Sequence, residues 1–249
     1  PRPRWAPRHE GVRRIMVLMV PALFGVSVSQ INLLLDTVLA SLLPTGSVSW
    51  LYYSDRLTEL PLGVFAIAIA TVILPTLSGH RARADDPAFA STLSWAIRSV
   101  LLIAIPATLA LALLAEPLLA TLFQYGAFSG DDRAMAAASL RAYTLGLGAF
   151  MLVKVLAPGF YAREDMRTPV RIGIIAMAVN MVLNIAFVFP LMWWLNLGHV
   201  GLALATSVSA WLNALLLFRG LRRDAVLPPG SLPAKWLVQV GAATAAMVS

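Results

Sequence analysis

The stretch that decides the fold is residues 60–74, LPLGVFAIAIATVIL, which carries no charged side chain. It belongs to a longer apolar segment from Val48 to Leu77, whereas roughly 20 apolar residues suffice for a helix to cross the hydrocarbon core of a bilayer. Apolar and polar residues do not alternate along it with a period of two, as they would in a strand of a transmembrane barrel. The stretch therefore predicts a membrane-spanning α-helix.

Similar apolar segments occur along the whole chain, which has 249 residues, is 59% hydrophobic and is only 12% charged. In a soluble domain about a quarter of the residues are charged. The other segments are Ile15–Leu43, Phe89–Leu114, Ala134–Ala157, Val170–Leu191, Val200–Leu217 and the residues from Trp236 onward. We therefore expect an all-α membrane protein, a bundle of six complete transmembrane helices plus a truncated seventh. Because the chain begins with Pro1 and its last apolar segment stops at Ser249, we expect it to be a fragment of a longer protein.

Proline and glycine mark the expected breaks between these segments. Pro44 and Gly46 predict a turn after the first segment. Pro158 and Gly159 predict an interruption of the fourth hydrophobic run, and Pro228 to Gly230 separate the sixth segment from the seventh.

Two further features predict local irregularity. The apolar part of Glu116–Asp132 is too short to span a membrane, which predicts an interfacial or re-entrant helix. Pro21, Pro61 and Pro106 fall inside predicted helices, where proline removes a backbone donor and tends to kink the helix. In membrane proteins such kinks accompany cavities and moving segments. A static kink without a functional role is the other interpretation that stays open.

The loops between the segments alternate in basic content. One set of loops carries fourteen basic residues: Arg2, Arg4, Arg8, Arg13, Arg14, Arg81, Arg83, Arg163, Arg167, Arg171, Arg219, Arg222, Arg223 and Lys235. The other set carries only Arg133. The positive-inside rule therefore places the amino end in the cytoplasm. The basic residues behind the net charge of +7 lie mostly in these loops between apolar segments. We therefore interpret the charge as a signal of membrane topology and not of nucleic-acid binding.

Three ionisable residues, Asp55, Arg56 and Glu59, lie inside the second segment. Arg56 is about nine residues into its helix, or roughly 13 Å, which is near the middle of a bilayer. A charge at that depth costs about 2.5 to 3.5 kcal/mol on insertion scales, so it is a candidate functional group. The alternative is a buried ion pair of Arg56 with Glu59 that only fixes helix packing.

A second polar set combines Asp36 in the first segment with Asn180 and Asn184 in the fifth. The two asparagines are four residues apart and share a helical face. With Asp36, and with Thr206 as an added hydroxyl, they offer hard oxygen ligands to a small cation. Ordinary hydrogen bonding between helices is the competing interpretation.

The remaining polar residues give weaker signals. Arg98 is expected to reach the headgroups, while Arg141 and Lys154 are weak candidates for a cavity lining. Trp50, Tyr52 and other aromatic residues near segment ends are interpreted as interfacial anchors. No cysteine, zinc-binding His pair, phosphate loop or nucleophile elbow is present in the sequence, so we expect a transporter without a metal or organic cofactor, not an enzyme.

A resemblance to a known family is carried first by residues 30–41 (QINLLLDTVLAS), 46–57 (GSVSWLYYSDRL), 60–65 (LPLGVF) and 74–78 (LPTLS). These stretches resemble the seventh and eighth helices of the MurJ/MviN family of lipid II flippases. Later family segments are similar to residues 122–128 (LFQYGAF), 153–163 (VKVLAPGFYAR) and 168–170 (TPV). The resemblance covers nearly the whole chain in one order.

The resemblance implies the carboxy-terminal lobe of a multidrug/oligosaccharidyl-lipid/polysaccharide (MOP) exporter. Residues 1–14 would be a cytoplasmic basic segment, residues 15–223 the six-helix lobe, and residues 224–249 a cytoplasmic linker with the start of a further helix. In the family, two lobes enclose a cationic cavity and flip lipid II, an undecaprenyl-pyrophosphate-linked precursor, across the bacterial inner membrane by alternating access.

The family's cavity arginine corresponds to Arg56 and the acidic position after it to Glu59, and a monovalent cation or proton gradient is the candidate driving force. The partners implied are lipid II, membrane lipids and the missing amino-terminal lobe. Two alternatives stay open: another MOP exporter of lipid-linked oligosaccharide or drugs, and a membrane scaffold without a transport path.

Overall fold

The computed structural model describes residues 30–224, 226–227 and 234–246, together with Met19, Leu23 and Ser27. Within these residues the secondary structure is helical and no strand occurs. The helices are α1 (residues 30–41), α2 (Ser47–Pro61), α3 (Ile67–Ala82), α4 (Asp86–Leu113), α5 (Ala115–Phe123), α6 (Gly130–Tyr161), α7 (Arg167–Leu195), α8 (Gly198–Arg223) and α9 (Ala234–Ala246), and a π-helical turn, Leu62–Ala66, joins α2 to α3.

Five helices in the described part of the chain are long and apolar enough to cross a membrane. They are Ser47–Ala82, which is α2 and α3 joined, then α4, α6, α7 and α8. They match the predicted segments from Val48 to Leu217 and confirm a multi-pass α-helical fold. Of the first predicted segment, Ile15–Leu43, the structure describes residues 30–43 together with Met19, Leu23 and Ser27, and the rest lies outside the described residues, as does the whole basic segment 1–14. The predicted count of six complete spans therefore stays a prediction.

Of the three expected breaks, the first is confirmed, and the third, at residues 228–230, lies outside the described residues. Gly46 has a φ of 103°, a left-handed conformation that suits glycine at the turn between α1 and α2. The short helix α5 occupies the predicted position between α4 and α6. Ser129 and Asp132 then form a reciprocal capping box that starts α6.

The predicted interruption at Pro158 and Gly159 is wrong, because α6 continues through both residues to Tyr161. Proline costs the helix one donor there, and the Pro158 carbonyl still accepts from Ala162 N at 2.9 Å. Gly159 serves packing: a Cβ at this position would stand 3.2 Å from Leu221 and 3.3 Å from Leu93. The residue therefore lets α6 approach α4 and α8 closely.

Proline has different effects in the other predicted helices. Pro61 is followed directly by the π-helical turn, which is the local irregularity expected there. Pro106 lies within α4, which runs on to Leu113. Pro21 lies outside the described residues.

The centre of the bundle is α6, which packs against α2, α3, α4 and α8. In its most apolar window 56% of residues are buried inside the chain, against 17% for the joined α2–α3 helix and 22% for α7. The largest buried cluster includes Leu77, Leu93, Leu156, Phe160 and Leu221. The helices α2, α3 and α7 thus keep much of their apolar surface available to lipid or to another protein surface.

The two ends of the bundle carry different contacts. At one end, Trp50 Nε1 donates to Asp132 Oδ1 at 2.8 Å, and the Trp50 ring meets the His199 ring at 4.8 Å. At the other end, Arg163 pairs with Asp224 at 2.8 Å. Arg81 and Arg222 lie in the last turns of α3 and α8, and Arg163 follows α6, so these basic residues are at this second end, in agreement with their predicted alternation.

Candidate functional site

The helix α2 presents a polar face away from the bundle. Its opposite face is fixed to α6, because Ser54 Oγ donates to the Ala136 carbonyl at 2.7 Å and Leu57 is buried. On the outer face, Arg56 Nη1 and Glu59 Oε2 are 2.6 Å apart. The side chains of this pair are 52% and 48% exposed.

This exposure bears on the alternative of a structural ion pair. Arg56 and Glu59 belong to the same helix at positions i and i+3, so the contact joins no two helices of the chain. A pair that fixed helix packing would be buried between helices. The pair instead holds a cation and an anion on a surface that the described residues leave open.

Tyr52 completes this face. The Arg56 guanidinium carbon lies 4.9 Å from the centroid of the Tyr52 ring, and Tyr52 is 54% exposed. The sequence interpretation treated Tyr52 as an interfacial anchor and missed this contact. Its position four residues before Arg56 was the signal that could have found it, because residues at i and i+4 share a helical face.

Asp55 differs from Glu59 in its surroundings. It is half-buried, and it lies within electrostatic range of Arg56, Glu59 and, on α6, Tyr143. The predicted trio is therefore brought together on α2, with Glu59 as the direct partner of Arg56 and Asp55 set towards the bundle.

Arg141 and Lys154 are not brought to this face. Arg141 pairs with Glu116 at 3.0 Å and lines an apolar cleft of about 700 Å³ between α4, α6, α8 and α9. This cleft includes no residue of α2. Lys154 is exposed further along α6. The structure thus separates both residues from Arg56.

The second predicted set does meet across helices. Asn184 Nδ2 donates to Asp36 Oδ1 at 2.7 Å, which joins α7 to α1. Asn184 Nδ2 also lies 3.2 Å from Asn180 Oδ1. Asn180 Nδ2 in turn makes long contacts to Thr206 Oγ1 at 3.5 Å and to Ser209 Oγ at 3.4 Å on α8. Four predicted residues therefore form one polar cluster between three helices.

Two residues of the cluster were not predicted. Asn32 Nδ2 lies 3.2 Å from Asp36 Oδ2, and Ser209 contacts Asn180. Asn32 precedes Asp36 by four residues and Ser209 follows Thr206 by three, so helical spacing was again the available signal.

The cluster contains acceptor oxygens that the protein does not satisfy. Within the described part of the chain, the side-chain oxygens of Asn32 and Asn184 are buried and have no hydrogen-bond partner. An unpaired buried polar atom costs about 1 to 3 kcal/mol. These oxygens belong to amides whose nitrogens donate to the Asp36 carboxylate, so the cluster contains the hard oxygen atoms and the single negative charge that a small monovalent cation requires. A proton on Asp36 would serve the same charge balance.

Comparisons with known proteins agree along the whole chain. A family model described as "Lipid II flippase MurJ" matches residues 1–249. The probable lipid II flippase MurJ of Vibrio cholerae is 57% identical over 225 residues, covering 90% of this chain and 42% of that protein. The corresponding protein of Haemophilus influenzae is 52% identical, covering 99% of this chain and 48% of its own length.

Solved structures give the same fold. A lipid II flippase MurJ in an inward closed conformation matches with a TM-score of 0.78 at 27% identity, covering 98% of this chain and 49% of that one. A MATE transporter matches with a TM-score of 0.75 at 16% identity, which shows likeness of fold alone. The chain spans about half the length of the curated relatives it matches. With a family model matched from end to end and relatives more than half identical, the chain belongs to the MurJ family of lipid II flippases.

Proposed function

We propose that the chain is one lobe, the carboxy-terminal one, of a lipid II flippase that works by alternating access across the bacterial inner membrane. The single observation that carries the proposal is the open Arg56–Glu59 pair on α2 in a chain of this family. The amino end of the fragment would face the cytoplasm, as the basic loops predict. A second, amino-terminal lobe would cover the exposed face of α2 and enclose the cavity.

In this proposal Arg56 binds the pyrophosphate of the lipid-linked precursor. A guanidinium carries five donors in a fixed plane and binds phosphate oxygens with paired, charge-assisted hydrogen bonds. Glu59 contacts one terminal nitrogen of that group and Tyr52 is a further hydrogen-bond partner, so only part of the donor set is engaged and the rest stays available to an incoming anion. The carboxylate balances the cation between turnovers and yields to the more highly charged substrate, with Asp55 close enough to add a second negative charge.

The test uses the full-length protein, with lipid II translocation measured in proteoliposomes. Arg56→Ala should abolish flipping, and Arg56→Lys should weaken it, because an ammonium keeps the charge but loses the paired geometry. Arg83→Ala, which removes a basic residue from the loop after α3, is the matched control and should flip as the unchanged protein does. Full flipping by a well-produced Arg56→Ala protein would refute the substrate contact.

A double change tests the structural alternative directly. If Arg56 and Glu59 only stabilised each other, replacing both by neutral residues would restore folding and transport together. The substrate-contact role predicts that Arg56→Ala with Glu59→Gln inserts and folds normally but stays inactive. If the protein were a membrane scaffold without a transport path, the unchanged protein would already show no lipid II transport. These changes would then leave its binding to partner proteins unaltered.

We also propose that the cluster around Asp36 binds a monovalent cation or a proton that biases the lobe's conformation. The unpaired oxygens of Asn32 and Asn184 beside the Asp36 carboxylate support this role. The cluster joins α1, α7 and α8, so an ion held there would change the relative stability of arrangements of these helices.

A further inference from the structure

We propose that Tyr52 is a positioning residue for the phosphate-binding guanidinium. Its ring supports one flat side of the Arg56 side chain, so that one edge of the guanidinium contacts Glu59 and the rest faces the open side of α2. This inference rests on the proposed function of Arg56 and adds a residue to that site.

Tyr52 and its neighbour Tyr53 meet edge to face, with ring centroids 5.7 Å apart, but their other partners differ. The Tyr53 ring packs at 4.7 Å from Phe123 and 5.3 Å from Phe128, inside the contact of α2 with the α5–α6 region. Tyr52 points to the open face instead and holds the Arg56 guanidinium carbon at 4.9 Å from its ring centroid. Two adjacent tyrosines thus have different tasks, one in packing and one beside the cation.

A tyrosine is suited to this task because, unlike a carboxylate, it does not bring a negative charge that competes with the substrate. Glu59 neutralises Arg56 and must be displaced when a phosphate binds, since both are anions on the same donors. Tyr52 attracts the cation through the quadrupole of its ring and through its hydroxyl, which is a hydrogen-bond partner of the guanidinium. Neither group is an anion, so Tyr52 does not have to be displaced by charge repulsion when a phosphate binds. Support from the ring therefore persists while the anionic partner changes.

The expected gain comes from preorganisation. An arginine side chain has several rotatable bonds, and holding it in one geometry before binding reduces the entropy lost on binding. A cation–π contact at an exposed site is worth about 0.5 to 1 kcal/mol, which corresponds to a roughly two- to fivefold change in affinity.

The experiment compares lipid II with undecaprenyl monophosphate as probes for the purified full-length protein in nanodiscs. Tyr52→Leu removes the ring and should weaken lipid II binding roughly two- to fivefold. Tyr52→Phe keeps the ring and should bind within about twofold of the unchanged protein. Tyr125→Leu removes another exposed tyrosine far from Arg56 in sequence and is the matched control, with unchanged affinity expected. Tyr52→Met, also without a ring, replaces the leucine variant if that variant is poorly produced.

A double-mutant cycle shows whether Tyr52 acts through Arg56. In an Arg56→Ala background, Tyr52→Leu should have no further effect on lipid II binding, and the preference for the diphosphate probe should already be lost. Equal weakening in both backgrounds, or unchanged binding by Tyr52→Leu alone, would overturn the inference while leaving the role of Arg56 intact. Unchanged binding by Arg56→Ala would instead remove the proposed function itself.

Discussion

The two polar centres of this chain stabilise their charges in different ways. Arg56 is balanced by Glu59 within a single helix and remains half exposed. Asp36 is held by amides from its own helix, through Asn32, and from α7, through Asn184. Removing Arg56 therefore changes the surface of one helix, whereas removing Asp36 changes a contact between helices. Variants of Arg56 should therefore lose lipid II transport, whereas variants of Asp36 should lose the ion-dependent protection from hydrogen exchange.

The Asp36 centre makes a specific prediction about ions. In the unchanged full-length protein, sodium or protons should protect α1 and α7 from hydrogen exchange, because a bound ion stabilises the state that holds it. Stabilisation at an ion concentration ten times Kd is roughly 1.4 kcal/mol. Asp36→Asn keeps the shape of the side chain but removes its charge, so this protection should disappear.

Hydrogen exchange coupled to mass spectrometry, in sodium, potassium and choline chloride over a pH series, measures the effect. Thr37→Val is the matched control, since Thr37 is exposed on the same helix and its hydroxyl contacts only the Leu33 carbonyl among the described residues. The ion site would be ruled out by two results together. At each pH the exchange of α1 and α7 in the unchanged protein would be the same in all three salts, and their protection relative to an unfolded chain would not change with pH.

The packing of the helices depends on glycines where backbones approach closely. A Cβ at Gly201 on α8 would stand 2.9 Å from the carbonyl carbon of Phe187 on α7, and backbone cannot move aside as a flexible side chain can. Gly146 on α6 faces Ser207 on α8 in the same way, with a Cβ only 2.8 Å from Ser207 Cα. These small residues are what allow α6, α7 and α8 to pack as one layer.

Gly201→Ala should therefore destabilise the protein by about 1 to 3 kcal/mol, the usual cost of overpacking. Gly173→Ala is the matched control, because a Cβ there meets nothing within 4 Å. Thermal unfolding followed by tryptophan fluorescence should show a lower midpoint for Gly201→Ala alone. Equal midpoints for the two variants would contradict the close approach of α7 and α8.

The helix α2 is held firmly at one end and joined irregularly at the other. Trp50 and Ser54 bind α6 through Asp132 and the Ala136 carbonyl. After Pro61 the backbone forms the π-helical turn that leads into α3. Arg56 lies between these two features, so the tightly bound first half of α2 determines its position.

The bundle as a whole has one basic end and one poorly basic end, and this asymmetry predicts its orientation. The loops at Arg81, Arg163 and Arg222 should be cytoplasmic, and the region between α5 and α6 should lie on the outer side. The chain itself has no cysteine, which makes single-cysteine labelling straightforward.

Ala127→Cys and Ala82→Cys place one exposed probe at each end of the bundle. In intact cells, with the inner membrane closed, an impermeant thiol reagent should block Ala127→Cys. The same reagent should reach Ala82→Cys only after the membrane is permeabilised. The reverse pattern would show that the proposed orientation is wrong.

Among the described residues, a large part of the apolar surface of α2, α3 and α7 is not covered by other helices. In a chain that spans about half the length of its relatives, part of this surface is expected to meet the second lobe and part to meet lipid. We therefore expect the fragment alone to insert into membranes without transporting lipid II.

The sequence alone determined the helical class, the positions of five spans with bounds that differ by up to six residues, and the alternation of the basic loops. These features depend on local composition and length, since a bilayer requires about 20 apolar residues in a helix that satisfies its own backbone. The helical periodicity of about 3.6 residues also placed Asn180 and Asn184 on one face of α7. Proline was a less reliable signal, since α6 continues past Pro158 to Tyr161, and Gly159 lies where α6 packs closely against α4 and α8.

Only the tertiary structure decided which polar residues meet. Asp36 and Asn184 are 148 positions apart, and no local pattern measures the distance between α1 and α7. Whether the Arg56–Glu59 pair is buried or open likewise depends on which face of α2 packs against α6, a choice that Ser54 and Leu57 make through contacts with residues far along the chain. Helical spacing fixes which side chains are neighbours within one helix, whereas packing between helices determines which of those faces meet.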